Sequence, residues 1–223
     1  MDNDVIQLGL KPIEVWPKDQ IIETCGNPTI CSTHFLDVQE YHPRLIAKIL
    51  ELEEHQRLRK RSFRGACGTK IHHLDTWLNT EAELISLRAR AFFRRVLECE
   101  DAVVDLSWAN IYRNGDFCMP HSHVRSTASV VYCVETGDED VEDSLSGQFG
   151  FVDPRLSSCC PDQEGCVTKP FYPGMKMGTM IIFPSQLVHT VNAYLGKRPR
   201  ITLSWNINKN PLPGSPLITN AGE

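Results

Sequence analysis

From residue 103 to residue 206 the sequence offers one short strand after another with no helical segment between them, and this limits the fold more than any other feature. Runs rich in β-branched and aromatic residues predict strands over Val103 to Tyr112, Thr127 to Val134, Gln148 to Val152, Thr179 to Phe183, His189 to Ala193 and Arg200 to Asn206. Turn formers separate them at Asn114-Gly115-Asp116, Gly137-Asp138, Asp153-Pro154, Pro173-Gly174 and Gly196 to Pro199. Strands joined without helices pair antiparallel and close on themselves or on a second sheet, so a sandwich or barrel is expected.

The first hundred residues read differently. His42 to Ser62 predicts a helix with Pro43 in its first turn. A second helix is expected from Asn79 to Glu98, capped by Asn79 or Thr80 and followed by acids in its first turn. Leu84, Leu87 and Ala91, widened by Ile85, Phe92 and Val96, make its apolar face, which Arg88 and Arg95 interrupt. The expected organisation is a mainly β chain with N-terminal helices. Residues 1–210 form a single domain, in which a helical part (1–102) packs on a β-barrel core (103–210), and 211–223 form an extended or disordered tail. The Cys-, Pro- and Gly-rich loop 153–176 is long enough to predict a functional role.

Composition narrows the class. A chain of 223 residues with 41% apolar and 23% charged residues suits one soluble globular domain. A net charge of -5 gives no general attraction to nucleic acid or to an anionic membrane, and neither is expected as a partner. No run is apolar enough for a membrane span, and MDNDVIQLGL lacks the positive start of a secretory signal. Nine scattered cysteines, an odd number, fit reduced thiols and a cytoplasmic location.

The chemistry sits in the β half. His121 and His123 are two apart, and in a strand residues i and i+2 project from one face, so one metal can touch both imidazoles. His189 follows the strand ending Ile181-Ile182-Phe183, from where it can complete a three-ligand facial site with open positions. An HxH pair by itself is equally a pair of surface histidines. Arg200 opens a strand whose alternation sets Arg200, Thr202 and Ser204 on one face. An arginine aimed into a barrel needs an anion, and its fork matches a carboxylate. Read alone, Arg200 is better read as a surface residue of Lys197-Arg198-Pro199-Arg200.

Taken in order, these residues form a pattern: Trp108 and Asn110, Gly115-Asp116, Pro120-His121-Ser122-His123, Ser129-Val130-Val131-Tyr132, Gly147 with Phe151-Val152-Asp153-Pro154-Arg155, Gly178, Phe183-Pro184-Ser185, His189, and Arg200-Ile201-Thr202. The pattern resembles the 2-oxoglutarate/iron(II) oxygenases, in particular a bacterial and phage branch. The resemblance spans about half the chain and implies a double-stranded β-helix, a jelly-roll or cupin-like barrel. It implies iron(II) as the metal, held by His121 and His189, and 2-oxoglutarate as cosubstrate, its distal carboxylate on Arg200. His123 stands where the wider superfamily usually has Asp or Glu; it is kept as the third ligand, with Asp153 as the alternative. The implied reaction is hydroxylation of a C–H bond, with succinate and CO2 as coproducts, on a small molecule or a protein side chain.

Other residues complete the expectation. Thr202, Tyr132 and Asn110 are placed beside Arg200 as cosubstrate-binding candidates. Tyr132 and Asn110 are equally readable as packing residues. Arg125 and Arg155 are better read as solvated than as substrate contacts. Cys159, Cys160 and Cys166 lack the pairing of a zinc site. The run Arg57 to Arg61 fits a helix C-terminus, where the dipole favours cations. His72 and His73, being adjacent, point apart in a strand. Two rivals stay open: a three-histidine dioxygenase that does not use 2-oxoglutarate, and a non-catalytic metal- or ligand-binding barrel.

Overall fold

Period-two alternation sorts the strands of the second half into two working faces. The computed structural model describes residues 4–25, 29–57, 68–123, 125–138, 142–156, 159 and 170–210. In chain order they form β1 (Val5–Leu8), β2 (Lys11–Glu14), β3 (Glu23–Cys25), β4 (Ile30–His34), α1 (His42–Arg57), β5 (Thr69–His72) and α2 (Thr80–Leu97). Then follow β6 (Val103–Tyr112), β7 (Cys118–His121), β8 (Ala128–Glu135), β9 (Phe149–Phe151), β10 (Thr179–Pro184), β11 (His189–Val191) and β12 (Arg200–Asn208). The fold is mainly β, and all strand pairs are antiparallel.

A seven-stranded sheet has the order β3-β4-β10-β8-β12-β6-β5, and a three-stranded sheet the order β7-β11-β9. From β6 to β12 the chain passes from one sheet to the other at each step, with an isolated bridge between Phe151 and Phe171 before β10. Such alternation is the connection pattern of a jelly roll. On β12, Ile201, Leu203, Trp205 and Ile207 face the helices, whereas Arg200, Thr202 and Ser204 face the small sheet. On β10, Met180 and Ile182 take the helix side; Ile181 and Phe183 pack with Phe149, Phe151 and Val191 of the small sheet. The large sheet therefore has one core under the helices and another between the sheets.

The helices form for local reasons. The Asn79 side chain accepts a hydrogen bond from the Ala82 amide at 2.8 Å, and Glu81 and Glu83 meet the positive end of the α2 dipole. Leu84, Ile85, Ala91 and Phe92 are buried against the sheet. Arg88, expected to interrupt this face, is instead fully buried within it. Its guanidinium grips both carboxylate oxygens of Asp37 at 2.9 and 2.5 Å and lies 4.2 Å from the centre of the Phe35 ring. Charge, hydrogen bonds and ring contact together satisfy the buried cation. The α1 helix begins at His42 as expected and is described to Arg57; 58–62 lie outside the described residues.

Two expectations need correction. The N-terminal part is not only helical: β4 pairs with β10 and β5 with β6, so residues before 103 extend the large sheet at both ends. The strands β3, β4 and β5 are short and stand beside helical patterns, so little in their own sequence marks them as parts of a sheet. The β7 strand was also not foreseen, and it ends at His121, leaving His123 in the loop beyond it. The expected tail 211–223 lies outside the described residues, as do 157–158 and 160–169 of the loop 153–176. No helix among the described residues is long and apolar enough to cross a membrane.

Candidate metal centre

Three strand ends and one loop build the site. The β7 and β11 strands pair so that His121 and His189 lie directly opposite each other. His123 reaches the same point from the loop, where its amide donates to the Ser185 carbonyl at 2.7 Å. The ligand atoms of the three imidazoles all lie within 4.8 Å of one another, close enough to share one ion. The rings of His121 and His189 are 4.3 Å apart, centre to centre, and those of His121 and His123 5.0 Å.

Hydrogen bonding sets the tautomers of two of them. Nδ1 of His121 is 2.9 Å from the Met119 carbonyl, and Nδ1 of His189 is 2.9 Å from the Leu187 carbonyl. A carbonyl only accepts, so each Nδ1 carries the proton and each Nε2 presents a lone pair. Burial lowers the pKa of all three; neighbouring imidazoles add repulsion at His123, which falls to about 4, and at His189, which falls to about 3. The cluster is therefore neutral at pH 7, the form that binds a cation.

The histidines line one end of an open cleft of about 460 Å³ between the sheets. Arg200 lines it too, from β12. It is only 5% exposed, its Nη1 has no hydrogen-bond partner, and its guanidinium lies 5.4 Å from the Tyr112 ring centre. A buried guanidinium nitrogen without an acceptor is costly, and a carboxylate in the cleft would remove the cost. Asn110 and Thr202 share this wall: Nδ2 of Asn110 donates to Thr202 Oγ1 at 3.4 Å and to Ser204 Oγ at 3.2 Å, while Trp108 Nε1 donates to Asn110 Oδ1 at 3.1 Å.

Tyr132 does not join them. Its hydroxyl lies on the helix side of β8, 2.7 Å from His42 Nε2 and 3.0 Å from the Tyr41 hydroxyl. Strand parity is the reason: Val131, not Tyr132, faces the cleft. The alternative third ligand, Asp153, is also turned away. Both its oxygens are taken by the Arg155 guanidinium, at 2.8 and 2.5 Å, and the Val188 amide donates to it at 2.9 Å; the pairing holds its pKa at about 2. Asp116 accepts from the Arg113 amide at 2.8 Å and closes a turn.

The remaining candidates separate. Arg125 is exposed, and the run Arg57 to Arg61 and Cys160 and Cys166 have no described side chains. Cys159 is buried with its thiol 3.2 Å from the Phe151 carbonyl. His72 closes β5 and His73 follows in a left-handed conformation, φ 62°, so the two diverge. Residues of the cleft that sequence reasoning passed over are Lys70, Tyr112 and Cys118. Lys70 lies before the motif-bearing stretch, and only the alternation Thr69-Lys70-Ile71-His72 hinted at a strand there.

Similarity to known proteins agrees with this geometry. Residues 106–206 match the family described as "Putative 2OG-Fe(II) oxygenase". Over that stretch, a little under half of the chain, the sequence is similar to the 2-oxoglutarate/iron(II) oxygenases. Among solved structures, AviO1 from Streptomyces viridochromogenes Tue57 is similar at 14% identity over 87% of this chain and 93% of its own, with a TM-score of 0.58. HygX from Streptomyces hygroscopicus, solved with nickel and 2-oxoglutarate bound, has 10% identity over 79% and 82%, TM-score 0.57. SnoN, a non-heme alpha ketoglutarate dependent epimerase from nogalamycin biosynthesis, has 13% identity over 83% and 86%, TM-score 0.55. At such identities the likeness is one of fold. No curated protein matches the sequence.

Proposed function

We propose that His121, His123 and His189 hold the iron(II), and Arg200 the distal carboxylate of 2-oxoglutarate, in an oxygenase that hydroxylates a C–H bond of a small molecule or side chain. The family match over residues 106–206 supports a 2-oxoglutarate-dependent oxidoreductase. The observation that carries the residue assignment is the unpartnered Arg200 Nη1, buried in the same cleft as three neutral imidazoles. The jelly-roll alternation of β6 to β12 fits a double-stranded β-helix, and in this reading residues 1–210 work as one domain. HygX, of like fold, binds a metal and 2-oxoglutarate together.

The chain's own residues do the positioning. The Met119 and Leu187 carbonyls keep Nε2 of His121 and His189 ready to donate their lone pairs. Arg200 orients the dicarboxylic acid end-on, with the Thr202 hydroxyl beside it. Phe149, Phe183 and Val191 keep water from the inner wall. Bound iron(II) supplies the redox chemistry that couples O2 and the decarboxylation of 2-oxoglutarate to oxidation of the substrate.

His123 favours one other reading, the three-histidine dioxygenase that needs no 2-oxoglutarate. Purified protein with iron(II), ascorbate and 2-oxoglutarate decides between them. We expect O2 uptake with matching succinate release, even without substrate at a slow uncoupled rate. O2 uptake independent of 2-oxoglutarate would favour the direct dioxygenase, and no uptake the binding barrel. Because SnoN is an epimerase on a like fold, the substrate-derived product is to be identified as well.

A further inference from the structure

Lys70 enters the cleft from outside the family's stretch. It lies on β5 opposite Asn110 of β6, and alternation sends Ile71 to the helix-side core and Lys70 to the cleft. Its ammonium stands 5.6 Å from the centre of the Trp108 ring, which also neighbours His123 at 5.6 Å and His72 at 6.4 Å between ring centres. The side chain is half-buried, and no carboxylate among the described residues pairs with it. Among the described residues, no Asp or Glu lines the cleft at all.

Charge counting then gives the loaded cleft a sign. Iron(II) on three neutral imidazoles would carry two positive charges, and Arg200 and Lys70 add one each; the 2-oxoglutarate dianion offsets two of the four, one carboxylate at the iron and the distal one on Arg200. Lys70 is left with no anion to meet among the described residues. A compact, rotatable ammonium on the cleft wall suits a carboxylate or phosphate.

We propose that Lys70 is the substrate-anchoring residue and that the substrate is an anion, its carboxylate or phosphate on Nζ and its body against the Trp108 face. The proposal rests on the metal-centre reading above and assigns the substrate class to that site.

The test uses protein loaded anaerobically with manganese(II) and saturating 2-oxoglutarate, so that nothing turns over. Matched probes are added: indole-3-acetate against indole-3-acetamide, and benzyl phosphate against benzyl alcohol. Paramagnetic broadening of their proton signals reads binding near the metal without any activity. We expect the anion of at least one pair to bind about tenfold more tightly than its neutral partner. Lys70→Gln should erase that preference, and Lys70→Arg should keep most of it. Preference in only the carboxylate pair or only the phosphate pair names the anionic group. Equal broadening within both pairs, no broadening by any probe, or a preference that survives Lys70→Gln overturns the proposal. Manganese(II) and 2-oxoglutarate binding are measured in the same samples; their absence would overturn the metal-centre reading, whereas their presence without anion preference would overturn this inference alone.

Discussion

His123 differs from the aspartate or glutamate usual at its position by one full charge, and the consequence is local. With three neutral imidazoles a bound dication keeps its whole charge, and binding leans more on lone pairs than on Coulomb attraction. His123→Asp should therefore retain metal and bind iron(II) at least as tightly, by calorimetry under anaerobic conditions; loss of binding would show that the imidazole is required by shape. Tyr132 is the opposite case, a residue that sequence reading placed at the cosubstrate and the fold places beneath the helices. Tyr132→Phe should leave 2-oxoglutarate affinity unchanged and lower stability by about 1–3 kcal/mol, because His42 and Tyr41 lose a buried partner. The ordered pattern that resembles the oxygenases, more than residue spacing alone, singled out His121, His189 and Arg200 in the sequence, and the structure gathers the three around one cleft. The place of Tyr132 was not legible, because one step of strand parity decides which face a side chain takes, and an isolated strand does not declare its inner face.

At the scale of elements, the two helices and the strands β6, β8, β9, β10, β11 and β12 of the second half were readable, and the short strands of the N-terminal part and β7 were not. The α2 helix carries its cap and apolar face in its own sequence, and β6 and β12 alternate over most of their length. The β3, β4 and β5 strands owe their existence to the sheet they extend. Two tests belong to the helical layer. Arg88→Ala leaves Asp37 without its buried partner and opens the α2 interface, so denaturant unfolding should show a loss of about 3–5 kcal/mol. His42, at the start of α1, is buried, which lowers its pKa to about 4. Its stabilising contribution is then complete above its unfolded pKa of about 6.5 and is lost as pH falls from there toward 4. Through His42 alone, acidification across that window should cost on the order of 3 kcal/mol, so His42→Gln should make the profile shallower between pH 6.5 and 4, while the buried His123 and His189 keep the rest of its slope. An unchanged profile in His42→Gln would place the acid sensitivity elsewhere.

Over the whole molecule, function follows from which face of the large sheet is covered by what. Helices close one face with apolar contacts, and the small sheet stands over the other to leave a cleft. The chain is acidic as a whole, at -5, yet the cleft is lined by Lys70, Arg200 and three histidines, with no carboxylate among the described residues. Net charge thus says little about this site, and composition alone gives the wrong sign for it. The central claim is that Arg200 and the histidines serve one small dianion between them. Calorimetry of 2-oxoglutarate binding to anaerobic iron(II)-loaded protein tests it directly, wild type against Arg200→Ala. We predict binding in the wild type that is weakened roughly ten- to a hundredfold in the variant, with iron(II) affinity unchanged. Equal affinity in both proteins, or no binding in either, would contradict it.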